Sequence, residues 1–123
     1  MPDPNFIILY VENLAASARF YADLLGRQPV EASATFAMFA LGSGVMLGLW
    51  GRSGVEPAVP MPGCGGELAI SVGDADAVPA LCAEWRRRGL AIAQAPTRMD
   101  FGTTFVALDP DGHRLRVFAP EAP

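Results

Sequence analysis

Few side chains of this sequence are suited to nucleophilic or acid–base catalysis. The 123 residues contain one histidine, His113, and no lysine, since all nine basic residues are arginine. A Ser–His or Cys–His pair would have to use His113, which directly follows an Asp-Gly turn, and no Gly-x-Ser-x-Gly segment is present. We therefore expect the His113 side chain to be exposed or locally hydrogen-bonded rather than catalytic.

The cysteines and two glycine-containing motifs give no stronger chemical signal. Cys64 and Cys82 show neither CxxC nor zinc-ligand spacing, so we interpret Cys82 as a core residue and Cys64 as a loop thiol. Residues 63–66 lack the Lys-Ser/Thr of a phosphate-binding loop, and the Asp-Phe-Gly triplet at 100–102 lacks the motifs that accompany it in kinases. We assign no function to either match.

Charge and hydropathy exclude several classes of partner. Thirteen Asp and Glu residues against nine Arg give a net charge of −4, whereas binding to nucleic acid or to anionic membranes depends on a basic surface. No run approaches the roughly 18 apolar residues that a membrane span needs, and the first ten residues lack the basic segment of a signal peptide. We expect a cytoplasmic protein that binds neither nucleic acid nor membranes.

The first half of the sequence has the pattern of a strand, a helix and two further strands. Phe6–Val11 is apolar on both faces, which is typical of a strand buried between two layers. Asn13 is a suitable N-cap for a helix that ends at Gly26, where glycine tolerates the left-handed conformation. Two strand-like runs, Ala34–Leu41 and Val45–Trp50, follow around a Gly-Ser-Gly turn.

The second half repeats this order. Leu68–Val72 is a strand, Asp74 is the expected N-cap, and Gly89 ends the helix that follows. Thr103–Leu108 and Arg114–Phe118 form a second hairpin around an Asp-Pro-Asp-Gly turn. The repetition predicts two similar structural modules.

These elements predict a single domain, residues 1–123, with two modules and one seam. Module one covers 5–50 and module two covers 67–119. The intervening residues, 51–66, are rich in glycine and proline, which is the composition of a linker or a mobile lid.

Two runs of sequence carry a resemblance to a known family. They are VENLAASARFYADLLG at 11–26 and FGTTFVALDPDGHRLRV at 101–117. With the repeated element order they resemble the glyoxalase/bleomycin-resistance/dioxygenase (vicinal oxygen chelate) superfamily, over residues 5–119. The resemblance implies an α+β fold in which two βαβββ modules form a curved mixed-sheet cup. In the family's enzymes this cup holds a metal on four side chains.

The four metal-ligand positions of the family fall here on Phe6, Gly48, Glu67 and Arg116. Only Glu67 could bind a metal, and a guanidinium repels one, so the resemblance implies no metal and no other cofactor. It points to the metal-free branch that binds antibiotics. Within that branch the sequence is similar to phenazine-antibiotic resistance proteins and to the companion proteins of thiocoraline-type biosynthesis.

This resemblance implies a non-catalytic protein that sequesters a planar quinoline, quinoxaline or phenazine compound for self-resistance or biosynthetic handling. It also implies a homodimer, with or without exchanged elements. The alternative is a small metal-dependent lyase or dioxygenase-type enzyme of the same superfamily. A weaker alternative is a module that binds a protein partner.

Alternation along the strands then predicts which side chains line the cup. The candidate ligand-binding residues are Tyr10, Phe36, Met38, Met46, Gly48, Trp50, Glu67, Phe101, Thr104 and Arg116. We expect Trp50 to stack on the ligand and Gly48 to leave room for its rings, whereas Trp85 packs in the core. Phe36, Met38 and Met46 are equally compatible with core packing. Arg116 and Glu67 pair with each other or contact the ligand.

Overall fold

Each half of the chain folds in the predicted order of strand, helix and further strands. The structure is a computed structural model that describes residues 3–59 and 66–121. The chain divides into two compact units, Met1–Pro62 and Gly63–Pro123, which are described separately. Cys64 and residues 60–65 of the expected linker lie outside the described residues. The predicted α+β class with two βαβββ modules and mixed sheets is confirmed.

The first unit contains one helix and one four-stranded sheet. Its elements are β1 (Phe6–Val11), α1 (Leu14–Leu25), β2 (Glu31–Ala32), β3 (Phe36–Ala40) and β4 (Met46–Gly51). The strand order is β1-β4-β3-β2, with β1 parallel to β4 and the other pairs antiparallel. A short 3-10 helix follows β4 within the expected linker.

The predicted ends of α1 are confirmed by its caps. The Asn13 side chain accepts a hydrogen bond of 3.0 Å from the amide of Ala16, which satisfies one of the free N–H groups of the first turn. Gly26 adopts the left-handed conformation with φ 66°. The two-residue strand β2 was not predicted, because two residues are too few to form a pattern.

One face of this sheet packs against α1 and the other does not. The fully buried side chains on the helix-facing side are Val11, Ala37, Phe39, Leu47 and Leu49. The interpretation of Phe6–Val11 as a strand buried between two layers is wrong, because β1 is an edge strand with one neighbour among the described strands. Its side chains Phe6, Ile7, Ile8 and Tyr10 are 37–44% exposed.

The second unit has the same architecture. Its elements are β5 (Glu67–Ser71), α2 (Ala77–Arg87), β6 (Ala91–Met99), β7 (Gly102–Leu108) and β8 (Arg114–Pro120). The strand order is β5-β8-β7-β6, with β5 parallel to β8 and the other pairs antiparallel. None of the helices in the two described stretches is long and apolar enough to cross a membrane.

Two features of this unit differ from the sequence prediction. Asp74 is not the N-cap, because α2 begins at Ala77 and its N-cap residue is Asp76. Instead the Asp74 carboxylate accepts a hydrogen bond of 2.9 Å from the Asp76 amide, which closes an Asx turn before the helix. Strand β6 was not predicted, since its composition is mixed, it contains a proline and it pairs with β7 in an interrupted register.

The core of the second unit lies between α2 and one face of its sheet. Trp85 contacts Phe105 edge to face, with ring centroids 5.3 Å apart. Cys82 and Val78 are buried beside them. The predicted packing roles of Trp85 and Cys82 are thus confirmed, and Gly89 ends the helix with φ 89° as expected.

Candidate functional site

The open face of the first sheet carries the candidate residues that alternation assigned to it. The strand register places Tyr10 beside Trp50 and Trp50 beside Phe36, with their side chains on the same side of the sheet. The next rung joins Ile8, Gly48 and Met38, and the third joins Phe6, Met46 and Ala40. All of these positions face away from α1, so a ligand can approach them without disturbing the core.

Four rings on this face form a continuous group, which we call the aromatic surface: Phe6, Tyr10, Phe36 and Trp50. Trp50 contacts both Tyr10 and Phe36 with ring centroids 6.4 Å apart and interplanar angles of 74° and 81°. Phe36 also contacts Phe6 at 6.3 Å. The edge-to-face contacts are those preferred by aromatic quadrupoles, and they hold each ring in a defined orientation.

Gly48 lies beneath these rings but does not leave room for a ligand. A Cβ atom at this position would be 2.6 Å from Phe36 Cζ and 2.8 Å from Phe6 Cε1. The expectation that Gly48 opens space for a planar ring system is therefore corrected: the protein's own Phe6 and Phe36 rings take that space. Gly48 supports the aromatic surface by letting two rings lie close to the sheet.

Trp50 carries a hydrogen-bond donor that no described residue uses. None of the described residues accepts a hydrogen bond from its indole N–H. Every buried side-chain nitrogen among the described residues has a partner, so the indole nitrogen is not buried and its N–H is accessible to solvent. Trp50 itself is half-buried at the end of β4, and the nearby Gly54 of the 3-10 helix adds no side chain over it. An aromatic face next to a free donor suits a heteroaromatic ring with a nitrogen acceptor.

In the second unit the candidate residues on the open sheet face are joined by a polar network. Arg116 donates from Nε to Glu67 Oε1 at 2.6 Å, and from one terminal nitrogen to Thr104 Oγ1 at 3.1 Å and to Gln94 Oε1 at 3.3 Å. The buried Thr104 hydroxyl donates in turn to the Val117 carbonyl at 2.8 Å. The sequence left open whether Arg116 and Glu67 pair with each other or contact a ligand. In the structure they form an ion pair with each other.

Phe101 and Gln94 complete this network in different ways. The Arg116 guanidinium carbon lies 5.9 Å from the Phe101 ring centroid, within cation–π distance. Phe101 is 43% exposed and contacts Phe118 edge to face at 6.1 Å. The sequence analysis missed Gln94, because it lies in β6, where no strand pattern indicated which side chains share a face.

The metal-ligand positions of the resembled family do not fit a divalent cation here. Phe6 and Gly48 offer no donor atom in the first unit. In the second unit the Glu67 carboxylate is already paired with the Arg116 guanidinium, whose positive charge would repel a metal ion. We therefore derive no chemistry through a metal at these positions.

A separate group of possible ligand atoms lies in the turn between β7 and β8. One carboxylate oxygen each of Asp109 and Asp111 and one ring nitrogen of His113 lie within 4.8 Å of one another. Asp109 Oδ1, however, accepts from the amides of Asp111 and His113 at 2.9 and 2.8 Å, and Asp109 Oδ2 lies 2.7 Å from His113 Nδ1. These bonds stabilise the turn, and they confirm the predicted local hydrogen bond of His113. The sequence analysis treated this segment as a turn and did not identify the cluster.

Known proteins show clear similarity to this chain. The model of the Glyoxalase/Bleomycin resistance protein/Dioxygenase superfamily matches residues 4–117. The phenazine antibiotic resistance protein EhpR of Enterobacter agglomerans is 29% identical over 117 residues, which cover 93% of this chain and 89% of EhpR.

Solved structures agree with this match. A protein of Agrobacterium tumefaciens with a solution NMR structure is 51% identical, with a TM-score of 0.89 over 99% of this chain and all of its own. TnmS3, an antibiotic binding protein of Streptomyces sp. CB03234, is 20% identical with a TM-score of 0.74 over 98% of both chains, which shows a shared fold.

Proposed function

This chain belongs to the glyoxalase/bleomycin resistance protein/dioxygenase superfamily, and we propose that it binds a planar aromatic antibiotic or natural product without transforming it. The observation that carries the proposal is the aromatic surface, with Trp50 held between Tyr10 and Phe36. A relative that covers nearly the whole chain is a phenazine antibiotic resistance protein. The ligand class proposed is a phenazine, quinoline or quinoxaline compound, and binding serves self-resistance or biosynthetic handling.

Stacking on Trp50 accounts for recognition of a flat heteroaromatic ring. The two neighbouring rings, Tyr10 and Phe36, fix the indole, so little side-chain entropy is lost when a ligand docks on it. The indole N–H lies in the plane of its ring, so a stacked ligand meets it through an acceptor on a substituent that extends past the ring edge. The half-buried Met38 and Met46 on the same face offer adaptable apolar contact to ligand substituents.

The side chains of the site favour binding over catalysis. On the aromatic surface only Tyr10 carries an ionisable group. In the second unit, the Glu67 carboxylate that could act as a base is engaged by Arg116, whose Nε lies 2.6 Å from Glu67 Oε1. The lyase or dioxygenase alternative would need a metal that the family positions of this chain do not fit.

Fluorescence titration tests the proposed ligand class. We expect phenazine, quinoline and quinoxaline compounds at micromolar concentration to quench tryptophan emission, because Trp50 is accessible to a stacked ring. Trp85 is buried against Phe105 and supplies an emission that persists at saturation. Absence of any spectral change with all three compound classes would contradict the proposal.

We also propose a homodimer, on the strength of the exposed apolar side chains of β1. Light scattering should then give twice the 13.0 kDa chain mass. Ile7→Glu, which places a charge on a side chain that is 40% exposed and that alternates away from the aromatic surface, should shift the mass to that of a monomer. The matched control Val30→Glu alters a residue that is 60% exposed outside β1 and should leave the mass unchanged. A monomeric native protein at ligand-binding concentrations would refute the dimer.

A further inference from the structure

The open sheet face of the second unit contains a concave pocket that the proposed stacking on Trp50 does not use. Its volume is about 380 Å³, within the range of small-molecule sites. The lining consists of Ala93, Gln94, Met99, Val106, Arg114 and Arg116. It therefore combines apolar walls with two positive charges.

The two arginines differ in how their charges are satisfied. They alternate along β8 and so project from the same face of the sheet. Arg116 is fixed by Glu67, Thr104 and Gln94. Arg114 is paired in register with Glu67 on the neighbouring strand, yet it forms no hydrogen bond or ion pair with any residue of the described part of the chain. The Glu67 carboxylate is engaged by Arg116 instead.

Arg116 also keeps donor capacity toward the pocket. Its hydrogen bonds use Nε and Nη1, and none of them involves Nη2. Since no buried side-chain nitrogen in the described ranges lacks a partner, Nη2 reaches solvent. The pocket is therefore lined by the fixed guanidinium of Arg116 and by the guanidinium of Arg114, which no described residue engages.

The charge balance of the pocket defines the ion that fits it. Two guanidinium groups and one carboxylate leave one uncompensated positive charge on this face, within a chain of net charge −4. A monoanion neutralises that charge, whereas a dianion would leave a net negative charge on this face. Planar carboxylates match the guanidinium fork through two parallel hydrogen bonds.

We infer that this pocket binds the carboxylate of an aromatic acid, with Arg114 as the principal anion contact and the exposed Met99 against the ring. This inference rests on the proposed function and adds to it a separate site, which takes the acidic members of the planar aromatic ligand class. The chain then discriminates aromatic acids from their neutral analogues.

Calorimetric titration with phenazine-1-carboxylate and phenazine-1-carboxamide at pH 7 tests the inference, because the two probes differ mainly in charge. We expect the acid to bind the native protein about tenfold more tightly. Arg114→Gln should abolish this preference while leaving carboxamide affinity unchanged, and Arg114→Lys should retain part of it. Raising the salt from about 0.05 M to about 0.5 M should reduce the preference, since Arg114 is exposed.

Arg86→Gln is the matched control. It removes the same charge from an exposed position on α2, which packs against the opposite sheet face, and should keep the full preference. Equal affinity of the native protein for both probes would overturn the inference while upholding the proposed function. Binding of neither probe would overturn both. An unchanged preference in Arg114→Gln, with an unchanged melting temperature, would show that Arg114 is not the anion contact.

Discussion

Replacing Trp50 with alanine is expected to lower the affinity for phenazine about 5- to 150-fold. Loss of one stacking aromatic costs about 1–3 kcal/mol, which corresponds to that range. The substitution also removes the indole N–H that faces solvent beside the rings. Calorimetry is the appropriate measurement, because the variant lacks the fluorophore that reports on the site.

The other tryptophan provides the control for this substitution. Trp85→Phe changes a residue packed on Phe105 in the second core, so it should cost stability and leave phenazine affinity within about twofold of the native value. Equal binding by Trp50→Ala and the native protein would refute stacking on Trp50. A parallel loss in both variants would indicate a general effect of folding.

Gly102→Ala is expected to destabilise the protein by about 3 kcal/mol or more. Gly102 has φ 136°, and a Cβ atom there would lie 2.0 Å from the Ala119 carbonyl oxygen on β8. The clash is with backbone, so it is relieved only by separating β7 from β8 next to Phe101. Urea unfolding measures the cost.

Gly112→Ala isolates the contribution of the clash. Gly112 also has a positive φ, 85°, but a Cβ atom there would meet nothing within 4 Å. We expect this variant to lose only about 1 kcal/mol, from backbone strain alone. If both variants lost the same free energy of unfolding, close approach of β8 would not explain Gly102.

Local signals were sufficient to predict most of the elements. Asn13 and Gly26 fixed α1 because capping and left-handed geometry depend on residues within one turn. Asp74 misled the prediction of α2, since an aspartate can close an Asx turn before a helix as readily as cap it. Strand β6 gave no signal because its mixed composition lacks alternation, and only pairing with β7 holds it extended.

The candidate site was predictable in its faces but not in its contacts. Period-two alternation placed Tyr10, Phe36 and Trp50 on one side of the sheet, since register follows from the pleat. Alternation carries no information on side-chain rotamers, so it did not show that Phe6 and Phe36 cover Gly48.

The partners of Arg116 show the same limit of sequence patterns. Glu67 was identified as one alternative, but Gln94 approaches from a strand 22 positions away in the chain. Both contacts of Arg116 depend on tertiary distances, which the periodicity of the sequence does not encode. The exposure of β1 was likewise hidden, because an apolar strand has the same pattern whether or not other residues of the chain cover it.

Recovery of the ligand after binding distinguishes a binding protein from an enzyme most directly. The full chain is titrated with phenazine before and after dialysis against a chelator, then incubated with the compound in air with added Fe²⁺, Mn²⁺ or Zn²⁺, and the ligand is extracted for mass spectrometry. We expect equal micromolar affinity in both titrations and phenazine recovered unchanged. Loss of binding on chelation, or accumulation of a product with any of the metals, would contradict non-catalytic sequestration.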